Sequence, residues 1–414
     1  MRKASIVTIG NEILSGRTLD TNLSYLCGEL LEQGIPVVSS YTVGDELELI
    51  VGALNKALAD AEVVITTGGL GPTDDDLTRQ AVSKLLDAEL ELRKELLEQI
   101  QEFFIRRDLQ MPERNKIQAY IPAGAEPLEN TCGTAAGIAA KVGGKLLIAL
   151  PGVPGEMKQM FKQAGRERLK SYAVEQGVAL REISCFGAGE SSIADLLGGL
   201  MGRSRNPLIN LTASGGVITV TILATGKNKA AAEQLGAKDE RKLRVKLGGL
   251  VFGTKGQSLA EVVGEKLVRQ KKTIAVAESC TGGVLSKLIT DVPGSSRYFT
   301  YGWVTYSNQA KHSELGVSEE VIDRYGAVSD EVAAAMARGA RAKAGADFAI
   351  AITGIAGPGG GNEQKPVGLV YICVNSEIGT QTKGFIVPGD RETVRLSAAH
   401  TALNMLRMQL CEED

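Results

Sequence analysis

The stretch TIAVAESCTGGVLSKLI, residues 273–289, joins an apolar run to a helical pattern through a short polar turn. Residues 273–277 have the continuous apolar character of a buried strand, and the apolar positions of residues 284–289 recur at helical spacing. The turn between them presents Ser279 at the end of the strand and finishes in paired glycines. A hydroxyl at such a turn is placed for nucleophilic attack, and the helix N-terminus beside it is suited to hold an anion or a developing oxyanion. We therefore predict a strand–turn–helix unit of an α/β fold that carries a covalent hydrolase site.

The same alternation of strands and amphipathic helices runs through the first part of the chain. The segments at residues 5–9, 63–67 and 146–150 are mostly apolar, as expected for a parallel sheet covered by helices on both faces. Beyond about residue 170 the predicted strands are short and flank one helix, and a long helix at residues 229–247 follows them. Residues 253–256 read as a linker. We predict a multidomain α/β protein with a doubly wound domain over residues 1–170, a small α+β module over residues 171–255 and a C-terminal α/β amidohydrolase domain over residues 256–414.

The composition of the 414 residues limits the classes of function. The formal net charge of −3 gives no electrostatic case for nucleic acid as a partner. No segment approaches the roughly 18 to 20 apolar residues that cross a bilayer, and the N-terminus lacks the apolar stretch of a signal peptide, so we expect a cytoplasmic protein that does not engage a membrane. The six cysteines include no C-x-x-C pair, which argues against structural zinc. With only two histidines, His312 and His400, a hydrolase must largely work without imidazole.

A serine nucleophile needs a base, and the end of the next predicted strand supplies a lysine. Lys311 serves if burial or a neighbouring cation lowers its pKa from ~10.4 towards ~7–8, and Ser–Lys pairs are a known variant of catalytic triads. Tyr306 is placed to relay a proton or to orient the substrate. Thr281, Thr353 and the backbone amides after the serine are candidate donors to a tetrahedral oxyanion. Arg391, at the start of the last helix, suits a bidentate phosphate contact, which suggests a nucleotide-like amide as substrate.

Each of these residues also has a structural interpretation, which the sequence leaves open. Ser279 is a residue type that often caps a helix, and a lysine such as Lys311 is more often solvated than catalytic. Cys280 is a rival nucleophile, and His312 is the main rival base. The glycine-rich loop at residues 354–361 is either a connector or a mobile cover for a ligand.

A second candidate site follows the third predicted strand, in TTGGLGPTDDD, residues 66–76. Its glycines allow backbone N–H groups to approach a phosphate, and the helix that follows favours an anion. Three successive aspartates would repel that phosphate unless a divalent cation lies between them, so metal-assisted phosphate chemistry is one interpretation. The other is that the aspartates cap the helix and interact with its dipole. Loops at residues 10–12 and 20–22 are expected to reach the same sheet edge, where open α/β sheets bind ligands.

The N-terminal segments Gly10–Gly16, Asp20–Asn22, Gly68–Thr78 and Leu150–Glu156 resemble the molybdopterin-binding-like domain at the front of the CinA family. The resemblance implies a metal-dependent pyrophosphatase that cleaves ADP-ribose to AMP and ribose 5-phosphate, with Mg, Mn or Co as the divalent metal. The metal ligands that it implies are Asp75, Asp76, Glu12 and Asp20. The substrate contacts predicted for this domain are Asn11, Gly69, Gly71, Thr73, Gly152 and Gly155.

The C-terminal segments Ala277–Gly283, Thr305–Lys311, Ile352–Pro358 and Pro388–Arg391 resemble the nicotinamide mononucleotide deamidase domain of the same family. This resemblance implies hydrolysis of the carboxamide to nicotinic acid mononucleotide and ammonia, without a cofactor. The catalytic residues that it implies are Ser279 as nucleophile, Lys311 as base, Tyr306 and Thr353. The substrate contacts predicted here are Thr281, Gly282, Asn308, Gly354 and Arg391.

Together, the two resemblances predict a bifunctional hydrolase of pyridine-nucleotide salvage whose partners are small nucleotides, because both substrates are fragments of NAD. We expect a homodimer in which the middle module mediates dimer contacts or domain orientation. The arginines and lysines of that module also suit nucleic acid, but it has almost no aromatic residues for base stacking. The rival hypothesis is a non-enzymatic binding protein, for a molybdopterin-like ligand or in DNA uptake, as the association of the family with competence suggests.

Overall fold

The structure, a computed structural model, describes residues 2–172, 177–254 and 256–412. The chain forms two compact units, one of residues 1–179 and 225–233 and the other of residues 180–224 and 234–414. Within the described ranges, no helix is both long enough and apolar enough to cross a membrane.

The first unit is built around a mixed six-stranded sheet. Its strands are β1 (Ala4–Ile9), β2 (Val37–Val43), β3 (Val63–Thr67), β4 (Leu90–Leu92), β5 (Tyr120–Pro122), β6 (Glu126–Leu128), β7 (Gly137–Val142) and β8 (Lys145–Leu150). Its helices are α1 (Asn11–Leu14), α2 (Thr21–Glu32), α3 (Leu47–Asp60), α4 (Thr78–Leu86), α5 (Lys94–Ile105), α6 (Pro154–Met160) and α7 (Arg166–Leu169). The sheet has the order β2-β1-β3-β8-β7-β6, and the first four strands in that order are parallel. β4 and β5 form a separate antiparallel pair.

Helices cover both faces of this sheet. β1 and β3 are buried along their whole length. Successive side chains of a strand point to opposite faces, so Val7 packs in one apolar cluster with Leu54 of α3, and Ile6 packs in another with Leu26 of α2. The doubly wound architecture predicted from the apolar runs is therefore confirmed.

The second unit contains two sheets. Its strands are β9 (Gly177–Phe186), β10 (Leu208–Ser214), β11 (Val217–Gly226), β12 (Val251–Thr254), β13 (Ile274–Glu278), β14 (Phe299–Val304), β15 (Phe348–Gly354), β16 (Leu369–Asn375) and β17 (Thr380–Ile386). Its helices are α8 (Glu190–Leu197), α9 (Lys229–Leu247), α10 (Leu259–Gln270), α11 (Val284–Thr290), α12 (Asn308–Leu315), α13 (Glu319–Tyr325), α14 (Asp330–Ala344) and α15 (Arg391–Glu412). The division between the units falls within three of these elements, β9, β11 and α9, so that part of each belongs to the first unit.

The smaller sheet of the second unit has the order β10-β11-β9-β12. Ile183, Ile193 and Leu243 form part of the core between this sheet and helices α8 and α9. The linker prediction is wrong for Gly253 and Thr254, because both belong to β12 and pair with β9. The rest of that linker includes Lys255, which lies outside the described residues. The bounds of the three predicted domains stay predictions.

The larger sheet has the order β14-β13-β15-β16-β17, with the first three strands parallel and the last two antiparallel to their neighbours. Leu267 of α10, Leu285 of α11 and Leu403 of α15 pack on one face. Leu315 of α12 and Met336 of α14 pack on the other. The carboxyl ends of the three parallel strands thus meet at one edge of the sheet, where the predicted hydrolase residues lie.

Candidate active site

The turn after β13 carries the predicted nucleophile. Ser279 follows the strand directly, its N–H donates to the Ile352 carbonyl of β15 at 2.9 Å, and 8% of the residue is exposed. Gly282 and Gly283 have φ values of +58° and +99°, a left-handed region that only glycine enters at low cost. The paired glycines therefore allow the chain to reverse between the strand and α11 while the serine stays at the sheet edge.

Lys311 of α12 lies against this serine. Its Nζ is 3.1 Å from Ser279 Oγ, 2.9 Å from the Thr305 carbonyl oxygen and 3.3 Å from the Tyr306 carbonyl oxygen. The lysine is only 1% exposed, so its interpretation as a solvated surface residue is wrong. Burial lowers the pKa of Lys311, because removal from water disfavours the charged ammonium. The structure therefore places the Ser279 hydroxyl within hydrogen-bond distance of the Lys311 amine, and the lowered pKa favours the neutral form of that amine.

The rival residues have other partners. Ser279 is not the cap of α11, whose N-cap is Gly283 without any side-chain hydrogen bond. Burial raises the pKa of the Cys280 thiol to about 11, so the reactive thiolate is disfavoured at neutral pH. His312 points elsewhere, with its Nδ1 2.9 Å from the Val317 carbonyl oxygen.

The N-terminus of α11 is already occupied by a carboxylate of the chain itself. Glu278 is completely buried, and it accepts hydrogen bonds from the N–H groups of Gly283, Leu285 and Ser286 at 2.8–3.0 Å. The Ser286 hydroxyl donates to the same carboxylate at 2.7 Å. The expectation that this helix N-terminus receives a substrate anion or an oxyanion is therefore wrong, because its free N–H groups are satisfied internally.

The threonines near the pair differ in what they can donate. The hydroxyl of Thr353 donates to the Ala327 carbonyl at 2.7 Å, so its proton is not free for an oxyanion. The hydroxyls of Thr281 and Thr305 are buried and have no hydrogen-bond partner within the described part of the chain. Because a buried hydroxyl without a partner is costly, these two groups are candidate contacts to a substrate.

Arg391 and Tyr306 form the outer part of the site. Arg391 Nη2 lies 3.1 Å from the Tyr306 hydroxyl, and Nη1 donates to the Gly357 carbonyl at 2.8 Å. Tyr306 is 61% exposed, which places this pair at the mouth rather than beside the buried lysine amine.

Asn308 is exposed in the first turn of α12. A Cβ on Gly354 would lie 2.7 Å from the Leu369 carbonyl oxygen, so this glycine is required by the close approach of β16.

The glycine-rich loop between β15 and β16 is tied to its surroundings. Lys365 Nζ donates to the carbonyls of Tyr325 and Val328, both at 2.7 Å. The Asn362 side chain accepts from the Lys365 N–H at 2.7 Å, and Arg391 holds the Gly357 carbonyl. These contacts favour an ordered wall for the site over a freely mobile cover.

Sequence reasoning missed two charged residues that hold the nucleophile turn. Glu278 directly precedes Ser279, and the apolar run at residues 274–277 before it could have indicated a buried carboxylate. Arg395 follows Arg391 by one helical turn, and its Nε and Nη2 donate to the Thr281 carbonyl at 3.0 and 2.7 Å. Four-residue spacing in a helix places both arginines on one face, which was the available signal.

In the first unit, loops after three strands meet at the carboxyl edge of the sheet. Asn22 Nδ2 donates to Thr67 Oγ1 at 3.0 Å and to the Gly152 carbonyl at 2.8 Å. The Thr8 hydroxyl donates to Asp20 Oδ2 at 2.7 Å. Asn22 Oδ1 is buried and has no partner among the residues that the structure describes. The structure therefore brings Asp20 and Gly152 to one place and adds Asn22.

The glycine loop of the first unit is closed by its own aspartate. Asp76 accepts from the Gly71 N–H at 2.7 Å and from the Thr73 N–H and hydroxyl at 2.9 and 2.5 Å. The buried Arg79 holds the Leu70 and Gly71 carbonyls. Contrary to expectation, the N–H groups of Gly71 and Thr73 are thus not free to bind a phosphate.

The other predicted substrate contacts of this unit have varied surroundings. Gly69 adopts a φ of +65°, and its carbonyl accepts from the Thr78 N–H at 3.0 Å. The N–H of Asn11 donates to Asp45 Oδ2 at 2.9 Å. Gly155 lies in the first turn of α6, with open space around its Cα.

The four carboxylates predicted to bind a divalent metal do not form a ligand set. Asp20 caps α2, and Asp76 is held by the glycine loop. Asp75 is exposed, and Glu12 is exposed beside Gly10. No group of three or more acidic, histidine or cysteine side chains in the described ranges is arranged to hold an ion. The residues present therefore do not fit a preformed metal centre.

Models of three protein families match successive parts of the chain. They are "Probable molybdopterin binding domain" over residues 5–171, "Damage-inducible protein CinA KH domain" over residues 180–253 and "CinA C-terminal domain" over residues 256–410. A "CinA-like protein" of Syntrophomonas wolfei is 41% identical over 412 residues, which cover 99% of each chain. The chain belongs to the CinA family. A second "CinA-like protein", from Kosmotoga olearia, is 41% identical over 410 residues and also covers 99% of each chain.

Solved structures of CinA proteins match part of the chain. A competence/damage inducible protein, CihA from Agrobacterium tumefaciens, is 40% identical and covers 37% of this chain and 93% of that chain, with a TM-score of 0.36. A CinA protein of unknown function from Thermoplasma acidophilum is 37% identical and covers 40% and 97%, with a TM-score of 0.38. The family models together confirm the predicted fold class: a molybdopterin-binding-like N-terminal domain, a small middle module and a C-terminal CinA domain.

Proposed function

We propose that this CinA protein is a cytoplasmic amidohydrolase that converts nicotinamide mononucleotide to nicotinic acid mononucleotide and ammonia. The observation that carries the proposal is the 3.1 Å contact between Lys311 Nζ and Ser279 Oγ in a buried position. A buried amine beside a hydroxyl at a strand–helix turn is the arrangement that Ser–Lys hydrolases use in place of a histidine triad.

The contacts of the lysine suit a neutral amine. A neutral amino group has two N–H donors and one lone pair, and Lys311 has two carbonyl acceptors and one hydroxyl around it. If the carbonyls of Thr305 and Tyr306 take the two N–H bonds, the lone pair faces Ser279 Oγ. The lowered pKa of Lys311 favours this state, so the site is prepared to remove the serine proton.

The reaction uses the pair twice. Ser279 Oγ bonds to the carboxamide carbon while its proton passes to Lys311, which gives a tetrahedral oxyanion. Collapse breaks the C–N bond, and Lys311 returns the proton to the departing nitrogen, so ammonia leaves and an ester joins the nicotinoyl group to Ser279. Water then gives a proton to Lys311 and attacks the ester carbon. The second intermediate expels Oγ, which regains the proton, so one water is consumed for each ammonia released.

The mouth of the site supports a phosphorylated substrate. Arg391 is exposed there, and it is oriented by the Gly357 carbonyl and the Tyr306 hydroxyl. A guanidinium in this position suits a phosphate outside the buried pair. The nicotinamide ring would then face Ser279 while the ribose phosphate remains near Arg391.

Ammonia release from nicotinamide mononucleotide tests the proposal. We expect the unaltered chain to turn over in the presence of a chelator, because Lys311 supplies the base. Ser279→Ala and Lys311→Ala should each lower kcat at least ~100-fold, as for residues that act as one catalytic unit. No ammonia from the unaltered chain would remove the amidohydrolase proposal.

A second activity, cleavage of ADP-ribose to AMP and ribose 5-phosphate, is proposed for the first unit. It is supported by Asn22 Oδ1, a buried acceptor without a partner among the described residues, at the edge where the loops meet. Such an acceptor suits a ribose hydroxyl. Because the predicted carboxylates do not fit a preformed centre, we assign no step of this cleavage to a metal.

AMP release from ADP-ribose, measured with Mg, Mn or Co and in a chelator, tests the second activity. We expect Asn22→Leu to abolish it, because leucine fills the position without an acceptor. Absence of AMP under every condition contradicts it. If neither substrate is turned over while a nucleotide or pterin raises the unfolding temperature, the chain is a binding protein instead.

A further inference from the structure

The nucleophile turn is held from two sides by charged side chains. On the side of α11, Glu278 binds the N–H groups of Gly283, Leu285 and Ser286. On the side of α15, Arg395 binds the Thr281 carbonyl through both Nε and Nη2. Charge-assisted and bidentate contacts are the strongest hydrogen bonds available to a protein, so the backbone between Ser279 and Gly283 has little freedom.

This arrangement uses most N–H groups of the turn. The N–H of Ser279 donates to the Ile352 carbonyl, that of Gly282 to the Ser279 carbonyl and that of Gly283 to the Glu278 carboxylate. The N–H groups of Cys280 and Thr281 donate to no other residue in the described part of the chain, and the Cys280 N–H contacts the thiol of its own side chain, which is a weak acceptor. A buried N–H without an acceptor is rare, and it is expected where a ligand supplies the missing oxygen.

In an acyl-transfer intermediate, the oxyanion and Ser279 Oγ are bonded to the same carbon atom. The donors to the oxyanion therefore have to lie beside the serine. The helix N-terminus is excluded because Glu278 fills it, and the Thr353 hydroxyl is excluded because it donates to Ala327. Among the backbone donors of the turn, the amides of Cys280 and Thr281 remain, and the unpartnered Thr281 hydroxyl belongs to the same residue.

We propose that the backbone N–H groups of Cys280 and Thr281 form the oxyanion hole, and that Arg395 and Glu278 are the positioning residues that aim them. The proposal rests on the amidohydrolase function and extends it to residues outside the Ser–Lys pair. Arg395 is cationic but acts through the Thr281 carbonyl, so it sets geometry and does not hold the substrate phosphate.

The test compares Arg395→Gln with a matched variant on the same helix. Arg407→Gln also removes a guanidinium that binds backbone carbonyls, those of Gly249 and Val251, but at a place outside the site. We expect Arg395→Gln to lower kcat about 10- to 100-fold with KM changed less than about threefold, because one oxyanion donor is typically worth ~10²–10³ in rate. Arg407→Gln should lower thermal stability and leave kcat within about threefold. Arg395→Lys keeps the charge but offers a single contact, so its kcat should lie between the kcat of Arg395→Gln and that of the unaltered chain.

Chemical rescue separates positioning from a general structural role. Guanidinium ion added at millimolar concentration should restore part of the kcat of Arg395→Gly, and it should not restore Ser279→Ala. Glu278→Gln, which replaces one acceptor oxygen by a donor, should also lower kcat with little change in KM. A rise in KM at constant kcat for Arg395→Gln would overturn the proposal, because it would make Arg395 a ground-state contact to the substrate.

Pyridine-3-boronic acid measures the oxyanion hole without turnover. Its boron bonds to Ser279 Oγ as the serine proton passes to Lys311, and the resulting tetrahedral boronate places an oxygen where the oxyanion forms. We expect Arg395→Gln to weaken its binding at least about tenfold, while Arg407→Gln binds as the unaltered chain does. Equal binding by all three proteins overturns the oxyanion-hole proposal, even if ammonia release is normal. If the chain releases no ammonia but binds the boronate, and if that binding depends on Arg395, the proposed substrate is wrong and the oxyanion-hole proposal is supported.

Discussion

Burial is the property of Lys311 on which its proposed role as the base depends. An exposed lysine is charged at neutral pH and cannot accept a proton. Lys311 is 1% exposed, and its amine is surrounded by two carbonyls and the Ser279 hydroxyl. The cost of holding a charge in that position lowers the pKa of Lys311, so the same burial that opposes stability suits the amine to its proposed role as a base.

The pH profile of ammonia release reports this base. We expect kcat/KM to rise with pH as Lys311 loses its proton, with a slope of about one and a midpoint below pH 10.5. Since the pKa is lower in the folded than in the unfolded chain, folding releases a proton between the two values, and the contribution of Lys311 to stability rises with pH in that window. Tyr306→Phe is the control, and it should keep the rising limb. A profile that is flat between pH 6 and 10 contradicts the assignment of Lys311 as base.

Cys280 tests the choice of nucleophile. Because burial raises the pKa of its thiol to about 11, we expect Cys280→Ala to keep kcat within about threefold, and iodoacetamide to react slowly at this position. Alanine retains the backbone N–H, so the proposed oxyanion hole is unaffected. The exposed Cys411 serves as the reactive control within the same chain. Loss of turnover in Cys280→Ala would favour the cysteine as nucleophile.

At the scale of elements, each unit closes a glycine turn with a carboxylate of its own. Asp76 holds the turn after β3, and Glu278 holds the turn after β13. Free N–H groups at such turns attract anions of any origin, and an internal carboxylate is always present at a high effective concentration. These turns are therefore preformed scaffolds that position neighbouring groups, and only the groups that they leave free are available to the proposed substrates.

The packing of α12 against α14 sets the position of Lys311. Gly339 of α14 approaches so closely that a Cβ would lie 1.9 Å from the Leu315 carbonyl oxygen at the end of α12. We expect Gly339→Ala to lower the free energy of unfolding by ~1–3 kcal/mol through overpacking, and to lower kcat at least ~10-fold because α12 must shift.

Gly28→Ala is the matched control for this substitution. Gly28 is also a helical glycine, but the space around its Cα is open. Alanine there should raise the free energy of unfolding by ~0.5–1 kcal/mol, because it restricts the unfolded chain. Urea unfolding of both variants measures the difference. Equal stability of the two variants would contradict the close contact between α12 and α14.

At the scale of the molecule, α15 links the two sheets of the second unit. Its N-terminal half carries Arg391 and Arg395 at the site. Its later residues bind the smaller sheet, with His400 Nδ1 2.9 Å from the Gly215 carbonyl oxygen and the Arg407 guanidinium on the carbonyls of Gly249 and Val251. α15 thus contributes two arginines to the candidate site and also contacts the smaller sheet of the unit.

Arg407→Gln tests the second of these roles. Arg407 is 4% exposed, and its loss removes the charge-assisted hydrogen bonds to the carbonyls of Gly249 and Val251, so we expect the free energy of unfolding to fall by ~1.5–3 kcal/mol. Glu392→Gln, an exposed change in the first turn of the same helix, should have an effect below ~0.5 kcal/mol. Denaturant unfolding followed by circular dichroism measures both. A neutral effect of Arg407→Gln would show that the smaller sheet does not depend on this contact.

Local pattern was sufficient for much of this protein. The apolar runs predicted the parallel strands of the first unit, and the periodicity of apolar residues predicted the alternation of strands and helices, because burial of one face of an element imposes a repeat that is visible in the local sequence. The turn glycines at 282 and 283 were recognisable, because the left-handed conformation limits the residue type. Ser279 and Lys311 were recognisable as candidates, because each follows a predicted strand of the same sheet.

The tertiary structure alone decided which of these groups are available. Whether Lys311 is buried or solvated depends on α12 packing against a sheet formed by distant residues. Whether the N–H groups of Gly71, Thr73 and Gly283 are free depends on where Asp76 and Glu278 point. Hydrogen-bond satisfaction and desolvation are properties of the surroundings in space. The sequence by itself therefore determined the residue types and the order of the elements, and only the folded chain determined the pKa of the base and the donors left for a substrate.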